Sequence, residues 1–302
     1  MRFAEIGQQL RAYRMESGLR AEEIAARLGV SRAALYRYEK GEVIKLDTVK
    51  RLAELLKVSP LSLLGIGVEY YGRSAGFFER IRQIEENADQ ILQAFGPACY
   101  LTTSDAFDAA LADGLGACAE LAGDDRAAMR TAADQVLSLL KERKRNYQQR
   151  RPGIIAIVSE AAIRTFLEQG ILGAALLPDE LRARCREVAA GEMANIAELM
   201  DAEPMGLQFG LLRDGAITSG FSILRAGDRA TLAVNPFRAD GLPTAPTGVA
   251  MITGADEAVA AHQRVAEAMW RDSLKGKAGA ARIRELLASR STNTWRETSR
   301  AA

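Results

Sequence analysis

Val30-Ser31-Arg32-Ala33-Ala34-Leu35-Tyr36-Arg37-Tyr38-Glu39-Lys40-Gly41 reads as a short helix whose two ends are marked in the sequence. Ser31 has the side chain that caps an N-terminus, and Gly41 tolerates the left-handed backbone that ends a helix. Leu35 and Tyr38, three apart, can share an inward face, which turns Arg32, Ala33, Tyr36, Arg37 and Lys40 outward. That outer face is cationic, a composition suited to a nucleic-acid groove.

Working outward, Ala21 to Leu28 forms a second short helix, and Gly29 is the residue left for the corner between the two. Two helices joined by a short glycine-containing turn make a helix-turn-helix. Ala25 is small where the two backbones should approach most closely. Upstream, Phe3 to Ser17 has Ile6, Leu10 and Tyr13 on one side and Gly18 at its end. Downstream, Asp47 is the expected cap of a helix from Thr48 to Lys57, and Ser59-Pro60 restarts a fifth, with proline at the first helical position.

From Phe3 to about Gly65 the chain resembles the Cro/C1-type (XRE family) helix-turn-helix domain, also called lambda-repressor-like. The resemblance is carried by Ile6-Gly7-Gln8-Gln9-Leu10-Arg11, Glu23-Ile24-Ala25, Gly29-Val30-Ser31, Tyr38-Glu39-Lys40-Gly41 and Leu52-Ala53-Glu54-Leu55-Leu56. It implies an all-α, five-helix DNA-binding domain over residues 1–66. It further implies base contacts from Arg32, Ala33 and Arg37, phosphate contacts from Arg20, Tyr36 and Lys40, and a structural ion pair between Arg14 and Glu39. Since one recognition helix reads only a few base pairs, a homodimer on an inverted-repeat operator in double-stranded DNA is expected, with half-sites ~34 Å apart.

The whole chain has 302 residues and a formal net charge of +1, so attraction to DNA must come from local patches. Residues 1–71 carry 12 Lys and Arg against 9 Asp and Glu, a local cationic bias. Cys99, Cys118 and Cys185 are widely spaced without a C-x-x-C, which argues against a disulfide framework or zinc site. His262 is the single histidine, and no nucleophile elbow, P-loop or dinucleotide fingerprint occurs. The expectation is therefore no enzyme, no catalytic residues, no metal and no cofactor. With no signal-peptide pattern and no apolar run of about 18 residues, a cytoplasmic protein without a membrane partner is expected.

Residues 67–76, with glycines at 67, 72 and 76, read as a linker. Residues 77–289 read as an α+β effector and dimerisation domain with a mainly antiparallel sheet, and 290–302 as a flexible tail. Within it the spacing predicts a helix from Phe77 to Phe95, another from Asp124 to Gln149, and a buried strand at Ile154 to Val158. Three strands, Met205 to Leu212, Ile217 to Leu224 and Arg229 to Val234, suggest a meander. Its Phe209, Phe221 and Phe237 are either plain core or the walls of a pocket. The run Lys141 to Arg151 is either a second DNA contact or a solvated helix end. Leu101-Thr102-Thr103, Ser159 to Arg164 and Phe221 to Leu224 resemble an antitoxin-like region of the Scr1 type that follows Cro/C1 heads. The expected function is a DNA-binding transcriptional regulator, a repressor, controlled by a small-molecule or protein effector. The alternative is an antitoxin-like protein that binds a partner protein and represses its own promoter.

Overall fold

A computed structural model describes residues 3–173, 177–215, 217, 219–237 and 248–298. The head is five helices: α1 (Phe3–Ser17), α2 (Ala21–Leu28), α3 (Arg32–Glu39), α4 (Leu46–Leu56) and α5 (Pro60–Leu63). Leu10, Ile24, Leu35, Leu52 and Leu63 fill its core, each nearly or fully excluded from solvent. Helix α4 begins two residues earlier than expected. Lys45 takes the N-cap position, and Asp47 lies inside the first turn, where its charge complements the helix dipole instead of capping it.

An α+β region follows, built on a seven-stranded sheet: β1 (Val68–Tyr71), β2 (Gln90–Ala94), β3 (Gly153–Ser159), β4 (Leu207–Leu212), β5 (Phe221–Ala226), β6 (Arg229–Val234) and β7 (Ala250–Thr253). The order is β1-β7-β6-β5-β2-β3-β4, antiparallel from β1 to β2 and parallel from β2 through β3 to β4. The parallel pairs are linked by helical crossovers, as parallel strands require. These are α7 (Asp105–Glu120) with α8 (Arg126–Arg150), and α9 (Glu160–Gln169) with α10 (Asp179–Ala202). Helices α6 (Ser74–Glu85), α11 (Asp256–Asp272) and α12 (Gly276–Thr298) and two short 3-10 turns, Tyr100–Thr102 and Gly123–Asp125, complete the described elements. Side chains alternate between the two sheet faces. Ile157, Phe221 and Ile223 pack toward Val259 and Ala266 of α11, whereas Ile91, Ile154 and Leu224 join the larger core on the other side.

Four expectations are corrected. The helix predicted to run to Phe95 ends at Glu85, and Gln90 to Ala94 becomes the central strand β2. Asn87-Ala88-Asp89 breaks the helix, and hydrogen bonding to both β3 and β5 overrides the helical spacing of Ile91 and Leu92. The meander does not form as a trio: β4 pairs with β3, and only β5 and β6 form a hairpin, turned at Gly227 with φ 58°. The expected linker 67–76 contains strand β1 and the start of α6, so the α+β region begins at Val68 rather than Phe77. The expected tail from 290 continues α12 to Thr298, and residues 299–302 lie outside the described residues.

Among the described residues, no helix is long and apolar enough to cross a membrane. The cysteines are free, and burial pushes the Cys99 thiol up to about 11, which keeps it protonated. His262 turns Nδ1 to the Ala258 carbonyl at 2.9 Å and meets the Phe221 ring edge-on.

Candidate nucleic-acid interface

The corner between α2 and α3 is made by Gly29, whose φ of 71° is strained for any residue with a Cβ. Ser31 then caps α3, its hydroxyl accepting from the Ala34 N–H at 3.1 Å. Ala34 and Leu35 are buried, Tyr36 and Tyr38 half-buried, and Arg32, Ala33, Arg37 and Lys40 exposed. Arg20 is exposed at the start of α2, where its backbone N–H donates to Glu23 at 2.7 Å. The α2 C-terminus is tied to α4 by Arg51, which donates to the Leu28 carbonyl at 3.0 Å.

The exposed cations are held loosely and locally. Arg32 contacts Glu22 at 2.8 Å and the Tyr36 hydroxyl at 3.2 Å, its guanidinium lying over the Tyr36 ring. Arg37 meets Glu42 at 3.3 Å. Both pairs are more than half exposed on each side. Surface pairs of that kind contribute little, so phosphate or a base edge can replace the carboxylate.

The back of α3 is held firmly. Arg14 makes two hydrogen bonds to Glu39, at 2.6 and 3.1 Å, with the Glu39 carboxylate almost fully buried. Gly7 of α1 lies directly beneath the end of α3. A Cβ there would come within 2.6 Å of the Tyr38 and Glu39 carbonyl oxygens. Gly7 stood in the sequence as part of a motif, but nothing in the spacing showed that it sets the distance between these helices.

Sequence reading also missed what lies behind α1. That helix packs along α6, and Glu69 of β1 sits at the junction, accepting from Gln9 Nε2 and the Tyr71 hydroxyl at 2.6 Å each and from Arg80 at 2.9 Å. Burial drives the Tyr71 phenol well above its ordinary range, and the Glu69 charge reinforces this, so the hydroxyl stays a donor. Glu79, fully buried on α6, pairs with Arg11 of α1 at 3.0 Å and with Arg82 at 2.9 Å. Glu16 accepts from the N–H groups of Gly72 and Arg73 at the start of α6, at 2.7 and 3.0 Å. Tyr13 stacks on Tyr71 with ring centroids 5.3 Å apart. Of the glycines read as a linker, Gly76 gives close approach: a Cβ there would meet Glu16 at 2.7 Å.

Two cations of the run at the end of α8 are engaged inside the protein. Arg143 turns inward to a two-point contact with Glu85, and Lys144 pairs with Asp108 at 2.6 Å, while Lys141 and Arg145 stay exposed.

Residues 5–63 match the family described as a helix-turn-helix domain. A protein of Pyrococcus horikoshii named as an HTH-type transcriptional regulatory protein is 44% identical over 62 residues, 19% of this chain and 20% of that protein. The chain thus matches about a fifth of the length of this curated relative. The head of α1 to α5 is a helix-turn-helix domain resembling the Cro/C1 type.

Proposed function

We propose that this chain is a sequence-specific transcriptional regulator, acting as a repressor, whose α+β region senses an effector and sets the position of the DNA-reading head. The observation that carries this reading is the contrast across α3: a solvent-facing row of Arg32, Ala33 and Arg37 on a helix pinned from behind by Gly7 and the Arg14–Glu39 pair. In this arrangement Arg32 and Arg37 address base edges and Ala33 a thymine methyl. Arg20, Tyr36 and Lys40 flank them and meet phosphates, which fixes orientation without reading sequence. The protein acts as a homodimer, because the few base pairs under one α3 give too little discrimination alone. Coupling runs through the rigid contact of α1 with α6, so an effector that shifts α6 shifts the head.

The test is selection of duplexes from a random pool by the full chain, followed by sequencing. The expected product is an inverted repeat with half-site centres about one helical turn, ~34 Å, apart. Enrichment of no sequence over the starting pool would remove the reading.

A further inference from the structure

Between the sheet face of β2, β5 and β6 and the helices α6 and α8 lies a cavity open to the centre of a water molecule over about 50 Å³. That is room for a few waters or one small ring. Phe77, Phe78, Ile81, Tyr100, Leu140 and Phe237 form much of its wall. Its floor is polar and set by strand register: Gln93 lies opposite Ser222, Ser222 opposite Ala233, and Asn235 follows the end of β6. The Gln93 carbonyl accepts from the Cys99 thiol at 3.4 Å, and the Asn235 carbonyl from the Phe237 N–H at 2.8 Å. Among the described residues, the Gln93 and Asn235 amide nitrogens and the Ser222 hydroxyl have no protein partner. Glu85 and Arg143 are the two charges in the wall, and they neutralise each other through contacts of 2.8 and 2.9 Å.

We infer that this cavity is an effector site for a neutral, ring-sized molecule with an apolar body and a carbonyl or hydroxyl oxygen. The aromatic wall takes the body, and the donors of Gln93, Ser222 and Asn235 take the oxygen. A charged ligand is disfavoured because it would lose its hydration against a wall whose own charges are already paired. The regulatory consequence rests on the reading given above. The ring centroids of Phe77 and Phe237 are 5.8 Å apart, Phe77 meets Tyr71 edge-to-face with centroids 6.5 Å apart, and Tyr71 stacks on Tyr13 of α1. A ring seated against Phe77 and Phe78 therefore presses on the helix that carries the head.

Cyclohexanone is a suitable probe, with cyclohexanecarboxylate and cyclohexylammonium as charged controls, titrated into the full chain and followed by aromatic NMR shifts and thermal unfolding. Saturable cyclohexanone binding is expected, with the charged analogues at least about tenfold weaker. Ala233→Leu, which fills the floor, should abolish binding, and Ser222→Ala, which removes a donor with the loss of a single oxygen atom, should weaken it several-fold without unfolding the chain. The site is overturned by equal binding of the carboxylate, by binding indifferent to both substitutions, or by no saturation at tens of millimolar. Cyclohexanone binding that leaves affinity for a selected duplex unchanged overturns the effector role. A chain that binds cyclohexanone but selects no duplex overturns the regulator reading alone.

Discussion

Arginine and glutamate pair at both ends of the head, and the two sets differ in burial. On the DNA-facing side, Arg32–Glu22 and Arg37–Glu42 are 55–61% exposed. At the junction with the sheet, Arg80–Glu69 is 16% and 9% exposed, and Glu79 is fully buried between Arg82 and Arg11. The same chemistry is exchangeable in water and fixed out of it, since a buried charge that loses its partner has no solvent to turn to. The exposed set is free to trade partners, which the proposed role in DNA binding requires, and the buried set fastens the five-helix head to the sheet.

The sharpest way to break that contrast is Glu69→Ala. It leaves the Arg80 guanidinium, the Gln9 amide and the Tyr71 hydroxyl facing a void. Thermal or urea unfolding of the full chain should show a loss of about 3–5 kcal/mol. A loss below about 1 kcal/mol would mean that water enters the junction and that the head is not fastened there. Next comes Gly7→Ala, where the added methyl meets backbone oxygens that cannot swing aside. Overpacking should cost about 1–3 kcal/mol and, by displacing the end of α3, weaken binding to every duplex. Unchanged stability and unchanged DNA affinity would show that α1 and α3 are not spaced by this contact.

The two sides of the head also differed in how far they could be read from sequence. The recognition helix was legible because its determinants are local: Ser31 as cap, Gly29 as corner and Leu35 as inward anchor all act within a few residues. The junction was not, because its determinants are distant. Strand β1 is four residues long and pairs with β7, so Glu69 finds its register opposite Ile252. Read alone, Val68-Glu69-Tyr70-Tyr71 among glycines looks like a break, although Glu69 and Tyr71 have the two-residue spacing of one strand face. In β2 the flanking Gln90 and Gln93 hid a central strand, since Gln93 is polar for the cavity it faces and not because it meets solvent. The pairing of β4 with β3 depends on a crossover of two helices, which no short-range pattern encodes.

On the exposed side, Arg32→Ala should lower affinity for the selected duplex roughly ten- to hundredfold and relax one position, with no measurable change in unfolding. Equal losses on selected and random DNA would move Arg32 from base to phosphate. Lys40→Ala should instead weaken all sequences alike and reduce the salt dependence by about one unit of slope. A sequence-dependent loss would move Lys40 to a base.

The smallest expected effect tests whether the exposed pairs are as exchangeable as their burial implies. Glu22 holds Arg32 at 2.8 Å, so on the proposed reading a base that takes Arg32 must displace it. Glu22→Gln removes the charge at nearly constant shape, and because an exposed pair contributes little, affinity should rise by no more than about fivefold, with unfolding unchanged. The gain has two possible origins: release of Arg32, or removal of an anion near the phosphates. The double substitution Glu22→Gln with Arg32→Ala separates them, because the first gain vanishes without Arg32 and the second persists. Non-additivity would identify Glu22 as the placeholder for the base that Arg32 reads. Full additivity would place its effect on the phosphate backbone, and a fall in stability on Glu22→Gln would mean that the DNA-facing pairs are not exchangeable after all.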